Sequence, residues 1–214
     1  MSRSWRAPLE DYEIAIRLDA IRCADGASHP CATDHLGLSR YLQAEWDHAL
    51  EAYRAIPKSG PYANDESLAA TAHWQYMALR RSGATAAAAA NASLDLVRPG
   101  MRTLDGGAYL QLCLWYKGLM PEPELNNASA LDLATLGYGV GNYHFYNGRQ
   151  DAAIAMWRRV VNTSYWAAFG YIAAEAELFR LGLGPEGVGT RAPRGAARGV
   201  MGNGGGSGGR STMV

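Results

Sequence analysis

Apolar side chains return along this chain every three or four positions, the spacing of one face of a helix. "HALEAYRAI" places Ala49, Leu50, Tyr53 and Ile56 on one side. "AAIAMWRRVV" does the same with Ala153, Ile154, Trp157, Val160 and Val161. "YIAAEAELFRLG" spaces Ile172, Glu175, Leu178 and Phe179 similarly and stops at Gly182. Few stretches combine β-branched enrichment with period-two alternation. The pattern predicts an all-α chain. It stops near Gly184, and 185–214 is Gly-, Arg- and Ser-rich with almost no large apolar residue. Such a tail buries too little surface to offset its ordering entropy and is expected to be disordered. At the other end, "EDYEIAIRLDAI" predicts a lone helix within a 1–30 leader. The helical domain is expected over 31–184.

The turns between these helices recur. Ala44, Gly83, Gly118, Gly148 and Gly182 fall at intervals of 39, 35, 30 and 34. A period near 34 suggests helix–turn–helix repeats. Seven residues before the turn stand Gly37 and Gly141. Five after it stand Ala49, Ala88 and Ala153, and nine after it Tyr53 and Trp157. Small residues at the first two sites let paired helices approach, and the large ring fills the space between them. Leu36-Gly37, Ala49-x3-Tyr53 and Pro61, echoed by Val140-Gly141 and Ala153-x3-Trp157, resemble the tetratricopeptide repeat. The Gly83 unit keeps only its turn and Ala88. The Gly118 unit has Pro123 where the small alanine belongs, so its second helix is expected to be short or distorted. The leading helix reads as the second helix of an earlier repeat.

Residues 31–182 further resemble a group of bacterial tetratricopeptide proteins with no established chemistry. The likeness is carried by "YGVGNYHFYNGRQDAAIAMWRRVV", "ATAHWQYMALRRSG" and "YLQLCLWYKGL". The resemblance implies a right-handed α-solenoid whose first helices line a concave groove. Asp34, Leu38 and Tyr41, then His73, Met77 and Arg80, then Ala108, Leu112 and Trp115, then Tyr138, Asn142 and Phe145 would line it. Tyr41, His73, Met77, Arg80, Trp115, Tyr138, Asn142 and Phe145 are the candidate contacts, because aromatic and arginine side chains commonly anchor binding sites.

Composition removes several classes. Lys plus Arg equals Asp plus Glu, 20 each in 214 residues, so no net field draws the chain to nucleic acid or an anionic membrane. No apolar run has the length of a membrane span. Asp11, Glu13, Arg17 and Asp19 interrupt the start, which predicts no secretory leader and a cytoplasmic protein. An exported or periplasmic one is expected if the chain continues upstream, as it often does in the group it resembles. Cys23, Cys31 and Cys113 are an odd, sparse set suited to a reducing compartment.

Candidate chemistry is thin. "GYGVGNYHFYNG" has a glycine rhythm, but a dinucleotide loop needs a preceding strand. "ASALDLATLGYGV" is helix-like, so these glycines, Gly148 included, read as packing and turn residues. Gly205 to Gly209 formally match G-x-S-x-G without the strand and helix a nucleophile elbow requires. Cys23, His29, Cys31 and His35 are zinc-type ligands at an unfamiliar spacing, read as an irregular linker. His48, His73 and His144 have no motif-linked nucleophile, Asp132, Asp151, Glu175 and Glu177 are scattered, and Cys113 reads as core. No cofactor or metal is expected. The expected function is a non-catalytic module binding a peptide or protein in its groove. The alternatives are a small-ligand or enzyme-accessory protein with a pocket around Tyr138 and Asn142, and a structural solenoid that dimerises through an uncapped end.

Overall fold

The computed structural model describes residues 30–58, 63–103 and 107–183. The leading helix, Cys23, His29, Pro61 and the 185–214 tail lie outside the described residues, as does the Cys31 side chain. The described residues hold eight helices and no strand: α1 (Pro30–Leu42), α2 (Trp46–Ala55), α3 (Asp65–Arg81), α4 (Ala86–Ser93), α5 (Ala108–Tyr116), α6 (Ala130–Tyr146), α7 (Gln150–Val161) and α8 (Phe169–Arg180).

Their starts and stops follow local chemistry. Asn64 and Ser67 form a reciprocal capping box at α3, and Ser129 accepts from the Asp132 amide at α6. The five turn residues read from the spacing all have positive φ: Ala44 (62°), Gly83 (98°), Gly118 (71°), Gly148 (77°) and Gly182 (72°). Each closes its helix with the same pair of bonds. Gly148 N–H donates to Phe145 O at 3.0 Å and Arg149 N–H to His144 O at 2.9 Å. Equivalent pairs follow α1, α3, α5 and α8. This is the Schellman stop, and the left-handed residue it needs is why glycine marks four of the five.

The two well-patterned hairpins have one seam. In α1–α2 a Cβ on Gly37 would stand 2.5 Å from the Tyr53 ring, and in α6–α7 a Cβ on Gly141 would stand 2.6 Å from Trp157 Nε1. Ala49, Ala153, Tyr53 and Trp157 are fully buried. The Gly137-x-Gly-x-Gly141 rhythm therefore lies inside a helix. Gly137 meets Val160, Gly139 meets Leu112 of α5, and Gly141 meets Trp157. Replacing Gly141 or Ala153 with leucine should each cost about 1–3 kcal/mol by overpacking, and the double variant should cost less than the sum because both strain one seam. Urea melts of the three variants check this.

Two details depart from the pattern. Ala88 is exposed, and the buried small residue is Ala89. The buried alanine is the fourth residue of the second helix in each case. α4 starts three residues after its turn, whereas α2 and α7 start two after theirs. Its N-cap Thr85, whose hydroxyl accepts from the Ala88 amide, sets this later start. After Gly118 there is no second helix at all. Residues 119–129, with Pro121 and Pro123, run without one, as proline's missing donor dictates.

Five helices, α1, α3, α5, α6 and α8, run parallel. Paired residues rise together along each neighbour: Ala69 with Cys113 and His73 with Tyr116 for α3–α5; Leu112 with Gly139 and Trp115 with Tyr143 for α5–α6; Ala134 with Gly170 and Tyr138 with Glu177 for α6–α8. The last helix then meets the first. His35 and Phe169 rings are 5.2 Å apart, and Arg180 donates to Leu42 O at 2.8 Å. α3 and α6 also touch across the middle, where Trp74 stacks on Tyr138 at 5.7 Å. With five C-terminal dipole ends on one rim, the arginines of the last turns, Arg40, Arg80, Arg81 and Arg180, sit where cations are favoured.

Candidate functional site

The interior between the parallel helices holds the most polar chemistry among the described residues. Tyr41 of α1, Tyr138 and Asn142 of α6, and Glu177 of α8 are all buried. Arg81 of α3 is 9 % exposed at its side chain. Asn142 Nδ2 donates to the Tyr41 hydroxyl at 2.7 Å. The Tyr138 hydroxyl lies 3.0 Å from that of Tyr41 and 3.4 Å from Glu177 Oε1. Arg81 donates to Asn142 Oδ1 at 3.1 Å and to Glu177 Oε2 at 2.9 Å, while Arg180 grips the same carboxylate from its own helix. The Arg81 guanidinium also lies over the Phe145 ring at 4.3 Å and the Trp46 ring at 5.0 Å. Burial pushes the Tyr41 hydroxyl up to about 12. This network joins α1, α3, α6 and α8 through residues up to 101 positions apart. A fully paired set of this kind fixes which helices meet.

That geometry corrects the expected groove. Tyr41, His73, Met77, Tyr138 and Asn142 are interior residues, each at most 1 % exposed. The helices that would line an open face close on one another, so these side chains meet protein. Arg80, Trp115 and Phe145 are half-buried: Arg80 donates to Asn147 Oδ1 at 3.0 Å, Trp115 packs on Tyr143 at 4.2 Å, and Phe145 on Trp157 at 5.4 Å. The expected pocket around Tyr138 and Asn142 is likewise filled by Tyr41, Trp74, Arg81 and Glu177.

Other candidates resolve similarly. His73 is enclosed by Trp74, Tyr109 and Tyr116, and burial holds its imidazole down at about 3. Tyr116 pairs with its Nδ1 at 3.4 Å. Cys113 is buried, free and donates to Ala69 O, with burial pushing its thiol up; thiolate chemistry is suppressed there. His48 lies 3.5 Å from Glu45, and Arg149 donates to His144 Nδ1 at 2.9 Å. His35, from the zinc-type set, packs edge-on against Phe169. No group of three or more His, Cys, Asp or Glu among the described residues is placed to hold a metal ion. No described helix is long and apolar enough to cross a membrane.

The surface carries what pattern reading missed. Tyr165, Trp166 and Phe169 are 45 %, 65 % and 37 % exposed, three large aromatics within five residues of the α7–α8 connection. Two shallow depressions, of about 600 and 250 Å³, lie elsewhere, beside Ala86–Asp95 with Lys117 and beside Glu124–Asp132 with Gln111. Compared with known proteins, the chain matches no family model, no curated protein and no solved structure.

Proposed function

We propose that the chain is a non-catalytic interaction module built from tetratricopeptide-like helix pairs. Its partner is a protein or peptide segment that presents apolar side chains. The repeat reading is supported by the recurrent Schellman stops and by the Gly–aromatic seam made twice, at Gly37–Tyr53 and Gly141–Trp157. The observation that carries the binding reading is the exposed Tyr165–Trp166–Phe169 cluster. Tyrosine and tryptophan are side chains that anchor interfaces, and one of each beside an exposed phenylalanine is costly on a surface without a use. The docking surface is therefore outside the helical array, since the interior is filled.

The test is quantitative affinity capture with the full chain, comparing wild type with Trp166→Ala and, as a control, Leu119→Ala at another exposed apolar position. A partner bound at fixed stoichiometry should be lost at least about tenfold with Trp166→Ala, as expected for an aromatic anchor. It should be retained with Leu119→Ala, and neither variant should change the melting temperature. Equal capture by Trp166→Ala would remove this surface from the account.

A further inference from the structure

The paired network around Glu177 lies toward the C-terminal ends of the parallel helices. Next to it, the Tyr41 and Trp74 rings meet at 5.1 Å and the Trp74 and Tyr138 rings at 5.7 Å, and this layer closes the interior. On the N-terminal side of the layer the polar groups are not all paired. Asp34 of α1 lies about two turns before Tyr41 on the same face and is half-buried. Its carboxyl is in no hydrogen bond or ion pair among the described residues. Tyr53 reaches the same place from α2. Its ring lies on Gly37, one turn from Asp34, and its hydroxyl is fully buried with no hydrogen-bond partner among the described residues. Burial first, and then the Asp34 carboxylate, hold that hydroxyl well above its ordinary value. Tyr109 comes in from α5, its ring 5.3 Å from that of His73. Burial pushes the Tyr109 hydroxyl up to about 12; the Trp74 indole N–H opposes this by donating to it, and the Asp34 and Glu66 carboxylates reinforce it.

An unpaired carboxylate beside an unpaired phenol, both largely out of water, is costly unless something completes them. What they lack is a positively charged donor. Among the described residues, His35 is the one group that opposes the Asp34 charge, and its ring packs on Phe169 instead. The buried Glu177, by contrast, is held by two arginines. We propose that the N-terminal end of the interior is a binding site for a small alkylammonium ion, with Asp34 as its counter-charge. An ammonium group carries three N–H donors and no acceptor. The Asp34 carboxylate and the Tyr53 and Tyr109 hydroxyls, brought in by α1, α2 and α5, are the oxygen acceptors that match it. The rings of Tyr53, Trp74 and Tyr109 add an electron-rich wall that favours a cation over a neutral ligand. A divalent metal ion is a poorer match. Calcium takes about six to eight oxygen ligands, and no three His, Cys, Asp or Glu among the described residues are placed together to hold a metal. The proposal rests on none of the residues of the exposed Tyr165–Trp166–Phe169 cluster and stands whether or not that cluster anchors a partner.

The test is a titration of the full chain with n-butylammonium chloride at neutral pH and constant ionic strength, with n-butanol as the neutral analogue. The reporter is the Trp74 indole N–H signal in a nitrogen–proton spectrum, assigned by its loss in Trp74→Phe. A saturable shift is expected with butylammonium and none with butanol. Asp34→Asn should weaken binding at least about tenfold, the loss of a charge-assisted bond. Tyr53→Phe keeps the ring against Gly37, removes only the hydroxyl, and should weaken binding several-fold. The Trp157 indole signal, from the α6–α7 seam, should hold its position in both variants, which shows that the array is still folded. No saturable shift in wild type would overturn the proposal, and so would equal affinity in wild type and Asp34→Asn. Butanol binding as tightly as butylammonium would overturn it as well, because the site would then take an apolar chain and not a cation.

Discussion

Replacing Glu177 with glutamine should cost about 3–5 kcal/mol of stability, because it leaves the buried Arg81 guanidinium without its counter-charge. The Glu177 side chain is 2 % exposed and that of Arg81 9 %, so water cannot take over the lost contact. Urea unfolding at neutral pH reads the change directly. A second ion pair in the same protein provides the contrast. Arg40 and Glu45 meet at 2.6 Å, but their side chains are 22 % and 36 % exposed. Glu45→Gln should therefore cost less than about 1 kcal/mol. Arg81→Met combined with Glu177→Leu should recover much of the loss, since burying neither charge avoids the penalty of burying one. A Glu177→Gln variant as stable as wild type would mean that the four helices do not meet around this carboxylate.

His73 should make the protein acid-sensitive over a defined window. Burial lowers its folded value from 6.5 to about 3. Between these values the unfolded chain binds a proton that the folded chain refuses. Stability therefore rises with pH in that window, is complete above 6.5, and is lost progressively as pH falls toward 3. The full span is worth on the order of 5 kcal/mol, a large share of a domain's stability. Asp34 works the other way: burial raises its carboxyl from 3.8 to about 6, so its contribution improves as pH falls through that range. His73→Gln isolates the histidine. On acidification from pH 7 to pH 4 the variant's urea midpoint should fall less than that of wild type, and with Asp34 acting alone it should rise. Identical pH profiles would show that His73 is accessible to protons in the folded state.

The parts of this fold that were legible in the sequence are local. A helix stop that needs a left-handed residue writes a glycine, so the five turns could be found by spacing alone. A seam where a ring lies on a helix backbone writes a glycine opposite an aromatic, and Gly37–Tyr53 and Gly141–Trp157 are both visible that way. The helix after Gly83 was displaced by one residue because the pattern had no term for the Thr85 cap. Closure was not legible. Tyr41, Asn142, Arg81 and Glu177 are brought together by contacts spanning 61 to 101 residues, and helical periodicity records only neighbours three or four apart. The same residues look like groove lining when each helix is read singly, because a side chain pointing inward in an array has one pattern whether the array stays open or closes. Tyr165 and Trp166 lie between two periodic segments, where no periodicity signals exposure.

The central claim, that the parallel helices close around a shared interior, is tested most directly by proton–proton nuclear Overhauser contacts among ring protons in protein labelled selectively at tyrosine and tryptophan. Tyr41, Trp74 and Tyr138 come from three different helices, with centroids 5.1 Å apart for Tyr41–Trp74, 5.7 Å for Trp74–Tyr138 and 6.5 Å for Tyr41–Tyr138. All three cross-peaks should appear, and the one between Tyr41 and Tyr138 should disappear with Tyr138→Leu. A spectrum with Tyr41–Trp74 present and Tyr41–Tyr138 absent, in a chain of full helical content, would describe an open array and contradict this account.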